Sequence, residues 1–418
     1  MMLYSPIKRE CARITMGVSM GLAASLAATL MPAHAAPADA PLYQPQLTGS
    51  VIKRIQTLMD KPSTWSQIPA KVTLCIYSPE GSKGKSFQQA MSYMTEIPKY
   101  TQMAKDIGVN LNVTMLDPLT MKLDIGYPKL KKQASTVAHL RVYSDERVLS
   151  EDFKMKKCDG AGMSNIRARQ FNSFVGSMDA IGALLSYRQL GEAISVLSRP
   201  EFNTRMVNKD YEVVGVIPLG AAYFMVNDRS INNLAKAAGK KVAVFDFDKS
   251  QAKMVQRVGA QPVSVDLLTL GGKFNNGDVD IIAAPALLFK PFEFYKGMTT
   301  QSGQVKGAII RFPLMQVTGV LMMQRGKFPE GLGQIVREFS AMNLTPAYQF
   351  VNEIESDIPV KYWMDVSETD KPGYLKMMRE ARIQMTQEGF YDKTMMQVLK
   401  RVRCKFEPAN YECSLADE

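Results

Sequence analysis

Three clusters of side chains in this chain have the types and spacing to bind a small molecule. The first is Ser78-Pro79-Glu80-Gly81-Ser82-Lys83-Gly84-Lys85-Ser86, a turn that follows an apolar run. Gly84-Lys85-Ser86 matches the end of a phosphate-binding G-x-x-x-x-G-K-[ST] loop, but Pro79 stands where its first glycine belongs, which argues against nucleotide hydrolysis. What survives is a glycine-rich turn before a helix. Its free backbone N–H groups, with Lys83 and Lys85, suit an anion, or simply cap the helix. The second cluster is Ser164-Asn165 with Arg167 and Arg169. An arginine fork can hold a carboxylate in two hydrogen bonds; the alternative is a pair of solvated surface arginines. The third is Asp246-Phe247-Asp248-Lys249, with Phe289 further on. Its acids suit hydroxyls or an amine, and its rings suit an apolar body or the core.

Bond-making chemistry finds little support. Beyond the first 35 residues His139 is the one histidine, in an apolar–polar alternation with Val137 and Arg141, and no G-x-S-x-G occurs. A hydrolase would lack its base, and a His/Cys zinc site its ligands. The 28 methionines include Met322-Met323, Met377-Met378 and Met395-Met396, scattered without an M-x-M cluster. That spread reads as core packing rather than a copper site.

These residues must be positioned by sheets and helices. The run from Gly239 to Pro291 reads strand, helix, strand, helix, strand: Lys241–Phe247, Lys249–Val258, Val263–Val265, Leu267–Phe274 and Val279–Ala284. Such alternation means a parallel sheet with helices on both faces, and ligands sit beyond the carboxyl ends of its strands. An earlier unit has strands at Val72–Tyr77, Val109–Leu116 and, more weakly, Phe153–Cys158, with a helix from Phe87 to about Ile107. Leu119–Val137 is helical in composition, broken at Gly126 and Pro128. Tyr211–Asn227 and Ala308–Met323 read as very long strands, or two in line, a length that suits crossings between lobes. From Pro329 onward the pattern is helical, over Leu332–Met342, Pro346–Ile354, Tyr374–Gln387 and Tyr391–Val402.

Composition bounds the class. The chain has 418 residues, 46% hydrophobic and 22% charged, enough for more than one globular core. Lys8, Arg9 and Arg13, the apolar run Ile14–Leu30 and Ala33-His34-Ala35 make a secretory signal peptide over 1–35, with cleavage near Ala35. The formal charge is +11, or about +9 once the signal peptide's residues are set aside. That charge fits a solvated basic surface or an anionic partner; export and the lack of a dense basic run exclude nucleic acid. With Cys11 in the signal peptide, four cysteines remain and predict two disulfides: Cys404 with Cys413, closing a short terminal loop, and by elimination Cys75 with Cys158. Residues 36–70 read as a linker and a short helix.

Several segments resemble the solute-binding proteins of tripartite ATP-independent periplasmic (TRAP) transporters. Gly215-Val216-Ile217-Pro218-Leu219-Gly220 followed by Tyr223–Asn227 is similar to that family's hinge strand. Gly239-Lys240-Lys241-Val242, Gly259-Ala260-Gln261-Pro262-Val263 and Asn276-Gly277-Asp278-Val279-Asp280 with Ala284-Pro285 are similar to its other signature segments. One departure stands out: Ala243 occupies the position where the family commonly places the arginine that clamps a ligand carboxylate.

The resemblance implies an α/β, two-lobed periplasmic-binding-protein-like fold with hinge strands and a helical C-terminal segment. Lobe I would span 71–212, lobe II 213–315, and 316–418 would hold the return strand and helices packing across both. The implied function is periplasmic capture of a small solute, anions among the candidates, by hinge closure, and its delivery to integral membrane transporter subunits, without catalysis and without cofactor or metal. A ligand-sensing or efflux-associated periplasmic protein is the alternative. Candidate solute-contacting residues are Ser78, Glu80, Lys83, Asn165, Arg167, Arg169, Tyr223, Asp246, Phe247, Lys249 and Phe289. With Ala243 lost as a clamp, Arg167, Arg169 or Arg311 would substitute, or the ligand is not an acid.

Overall fold

The computed structural model describes residues 47–418 except 85–86, 89–90 and 92–96, and not the side chains of Lys249 and Ser250. The expected signal peptide and cleavage near Ala35, and Lys85-Ser86, lie outside the described residues. In chain order the strands are β1 (Lys71–Tyr77), β2 (Asn110–Asp117), β3 (Thr120–Tyr127), β4 (Lys132–Tyr143), β5 (Gly160–Ser164), β6 (Val207–Asn208) and β7 (Tyr211–Val226). There follow β8 (Lys241–Phe245), β9 (Gln261–Val265), β10 (Ile281–Pro285), β11 (Ala308–Arg311), β12 (Met315–Gln324) and β13 (Trp363–Asp365). They form one continuous sheet in the order β2-β3-β4-β1-β5-β12-β7-β10-β8-β9, with β6, β11 and β13 attached off that path.

The two long strands are what join the halves of this sheet. β12 pairs antiparallel with β5 on one side and with β7 on the other. β7 carries the order onward, pairing its last residues with β10. β10, β8 and β9 then run parallel, as the strand–helix alternation of residues 239–291 predicts. The helices between them, Lys249–Arg257 and Leu267–Asn275, match their expected spans closely. The second begins at a capping box in which Asp266 and Thr269 satisfy each other's backbone N–H groups.

Two expectations fail in the first half. Leu119–Val137 is a hairpin, not a helix: β3 and β4 pair in full register, and β4 then pairs parallel with β1. The turn between them uses Pro128 and Lys131, which adopts φ +52°. Pairing on both sides of each strand outweighs the helical composition of this stretch. Phe153–Cys158 is not a strand either. It holds the end of the helix Glu146–Lys154 and the turn into β5. Residues 36–70, expected to hold one short helix, contain two in their described part, Gly49–Asp60 and Pro62–Gln67.

Both expected disulfides form, Cys75–Cys158 between the second half of β1 and the turn just before its neighbour β5, and Cys404–Cys413 near the C-terminus. The first is fully buried in the main apolar cluster beside Leu149, Phe153, Leu190 and Met395. A second cluster gathers Phe274, Phe289, Phe294 and Met298 on one face of β7 and β10. A third, on the opposite face, includes Val226, Val242, Ile281 and Tyr374. The helices Lys371–Gln387 and Lys393–Phe406 are tied by charge. Buried Arg382 and Arg403 both bind Glu412 and Glu418, and they donate to the carbonyls of Ile181 and Ala183. No helix among the described residues is long and apolar enough to cross a membrane.

Candidate functional site

The site begins where β5 ends. Ser164 caps a four-residue helix, Asn165–Ala168, by accepting from the N–H of Arg167. So short a helix, followed at once by a turn, puts Arg167 and Arg169 at the sheet's centre beside the turn after β8. The Arg167 guanidinium lies over the ring of Phe247, 3.7 Å from its centroid, and Phe247 stacks on Phe245. Behind Arg167 is Glu146, whose carboxylate accepts from the N–H and hydroxyl of Ser164 and lies 4.0 Å from Arg167 Nε. Burial pushes the Glu146 carboxyl upward. Arg169 donates from Nε to the carbonyl of Gly176 and from Nη1 to Asp248, at 3.4 Å, and faces the Tyr391 ring. Two arginines of one short segment thus meet two consecutive residues, Phe247 and Asp248, across the sheet.

A break in the ladder builds the next layer. Between Val317 and Thr318 the β7–β12 register slips, opposite Pro218, which has no N–H to give, and Gly220, at φ +97°. The released N–H of Thr318 donates to Asp179 at 2.9 Å, and its hydroxyl does the same at 2.6 Å. Asn165 Nδ2 adds a third hydrogen bond to this carboxylate. Burial still pushes Asp179 up to about 6. Next to the bulge, the N–H of Ala221 donates to the Tyr187 hydroxyl, which in turn donates to Glu355. Burial holds Glu355 up at about 7.

Arg169, Asp179, Asp248 and Tyr391 form the polar end of a cavity of about 180 Å³. The rest of its wall is largely apolar, apart from the amides of Asn233 and Gln251. Phe224, Val242, Val244 and Ala283 come from β7, β8 and β10, Met254 and Val255 from the helix after β8, and Tyr374 and Met377 from the C-terminal helix. Ala283 is exposed, although it sits mid-strand between buried neighbours. Ala243 also reaches the wall and brings no charge. Arg167, Asp246 and Phe247 line a separate opening of about 270 Å³ with Asp145, Glu146 and Asp266.

The remaining expected residues fall elsewhere. Asn165 is fully buried behind the cavity, and its Oδ1 has no hydrogen-bond partner among the described residues. Ser78 is buried, donating to the carbonyl of Gly81, while Glu80 and Lys83 are exposed on that loop and reach neither opening. Tyr223 and Phe289 belong to the second apolar cluster. Lys249 opens its helix, and its side chain is outside the described set. His139 is exposed on β4 and touches Thr120. Asp179, Phe224 and Tyr391 were not anticipated. For Phe224 the signal was available: strand alternation puts it on the face opposite Tyr223.

The model of the family "Solute-binding protein AdeT 1/2" matches residues 26–418. The chain is 51% identical over 279 residues to the probable solute-binding protein AdeT1 of Acinetobacter baumannii, covering 67% of this chain and 90% of that one. It is 30% identical over 244 residues to the probable solute-binding protein AdeT2 of the same organism, covering 58% of this chain and all of that one. Among solved structures it is similar in fold to a TRAP periplasmic solute-binding protein from Desulfovibrio salexigens with bound orotic acid, at TM-score 0.57 and 13% identity, over 81% of this chain and 99% of that one. A second, from Shewanella oneidensis with bound succinate, gives TM-score 0.54 and 11% identity, over 80% of this chain and 99% of that one. The fold is therefore that of the two-lobed TRAP binding proteins, and the chain belongs to the AdeT 1/2 family of solute-binding proteins.

Proposed function

We propose that this protein captures a small solute in the 180 Å³ cavity and presents the closed form to integral membrane transporter subunits in the periplasm. The observation that carries this reading is the closure contact. Arg167 and Arg169, from the end of β5, reach Phe247 and Asp248, from the end of β8, beside a ring-sized space. β7 and β12 are the continuous links between the two sides and the natural place for a hinge. The relatives' names and the acid ligands of the similar folds support capture as the task. Capture needs no bond-making step, only a few polar groups in a largely apolar site.

A thermal-shift panel on residues 36–418 tests this, using acids, amino acids, sugars, amines and neutral aromatics. A ligand at about 100 times its Kd stabilises by roughly 2.7 kcal/mol, which raises Tm by several degrees. No response from any class on folded protein would remove the reading.

A further inference from the structure

We infer that the solute is an amine with an apolar, ring-sized body, not a carboxylate. This rests on the capture reading above and deepens it. The charge balance of the cavity is the first argument. Among the described residues that line it, Arg169 is the one cation, and Asp179 and Asp248 supply two acids. Arg169 is already paired with Asp248, so its charge is matched before any ligand enters. A carboxylate would add a third anion around one arginine, in a space walled largely by hydrocarbon. Ala243 supplies no second cation.

The hydrogen-bond inventory points the same way. Asp179 already accepts from Thr318 and Asn165, and Asp248 from Arg169, but both remain carboxylates on the wall, with the neutral amides of Asn233 and Gln251 elsewhere in the lining. Arg169 already spends Nε on Gly176 and Nη1 on Asp248. An ionised carboxylate has about four acceptor positions, so this end suits a ligand that donates, and an ammonium donates three hydrogen bonds. Size and lining set the other end. An apolar cavity of about 150 Å³ is large enough to take benzene, and this one is about 180 Å³, bounded by Phe224, Tyr374 and methionine side chains. A cation beside aromatic rings gains further attraction there.

The test is titration calorimetry on the chain of residues 36–418 with three probes of one size: 2-phenylethylamine, 2-phenylethanol and phenylacetate. The amine is expected to bind at least tenfold tighter than the alcohol and to leave phenylacetate without measurable binding. In Asp248→Asn the amine-to-alcohol ratio should fall toward one, a change that loss of structure alone does not produce. Phenylacetate binding as tightly as the amine, or the alcohol equalling it, would overturn the inference while leaving solute capture intact. Binding of sugars or acids but none of the three probes would do the same. Silence from these probes and from the whole thermal-shift panel would remove capture and the inference together.

Discussion

The Arg169 guanidinium lies 3.4 Å from the Asp248 carboxylate, although the two residues stand at the ends of strands separated by β12, β7 and β10 in the sheet. Both side chains are largely shielded from water. Such a pair is weak evidence for stability but strong evidence for geometry, because breaking it strands a charge.

Arg169→Ala should therefore weaken solute binding about tenfold or more and lower stability by about 1.5–3 kcal/mol, the range for a hydrogen bond to a charged group. A double-mutant cycle with Asp248→Ala, followed by denaturant unfolding, should show a coupling of at least about 0.5 kcal/mol. Strict additivity would separate the two residues.

Arg167 is a second tie to the same turn. Its guanidinium stacks on Phe247 at 3.7 Å. Arg167→Lys keeps the charge but loses the flat face, and should cost about 1 kcal/mol of closed-state stability, as should Phe247→Leu. Ligand affinity in the two variants, compared with wild type, checks this; unchanged affinity in both would free the stack from any part in closure.

Glu355 makes a pH prediction. Its native carboxyl is pushed up from 4.5 to about 7, mainly by burial. The native state then keeps a proton that the unfolded chain gives up, so stability falls as pH rises from about 4.5 to 7 and levels off above. The size is about 3 kcal/mol, at 1.36 kcal/mol per unit. Asp179 acts in the same direction between about 3.8 and 6. Glu355→Gln still accepts from Tyr187 and should flatten the upper part of this slope in unfolding titrations at pH 5, 6, 7 and 8. An unchanged slope in the variant would contradict the assignment.

The two disulfides should differ in worth. Cys75–Cys158 closes a separation of 83 residues and Cys404–Cys413 one of 9. Loop-closure entropy gives about 4–5 kcal/mol for the first and about 3 for the second. Double Cys→Ala variants, unfolded in urea, should rank in that order. The first pair also leaves a void in the main cluster. A larger loss from the terminal pair would point instead to the buried Arg382–Glu418 network that the Cys404–Cys413 loop adjoins.

Much of the frame was legible in the sequence because its signals are local. The alternation of 239–291, the length of Tyr211–Val226 and the helical periods after Leu332 each survive in the structure within a few residues. The hairpin of β3 and β4 was not legible: the pairing of β4 with β1 is long-range, and the whole stretch reverses a helical composition. In the candidate site, Arg167, Arg169 and Phe247 announced themselves by type. Tyr223 misled by one position, since its neighbour Phe224 takes the cavity face while Tyr223 packs against Trp363. Asp179 carried no motif. It matters only because a bulge in a distant strand pair turns the Thr318 N–H toward it.

The central claim, that solute sits in the cavity between the β8–β10 strands and the Lys249–Arg257 helix, is tested most directly by filling that space. Ala283 faces it from mid-strand. Ala283→Phe should unfold in urea as wild type does, and calorimetric titration should show binding of the best thermal-shift hit lost. A folded Ala283→Phe that binds the hit as tightly as wild type would place the solute elsewhere and contradict the account.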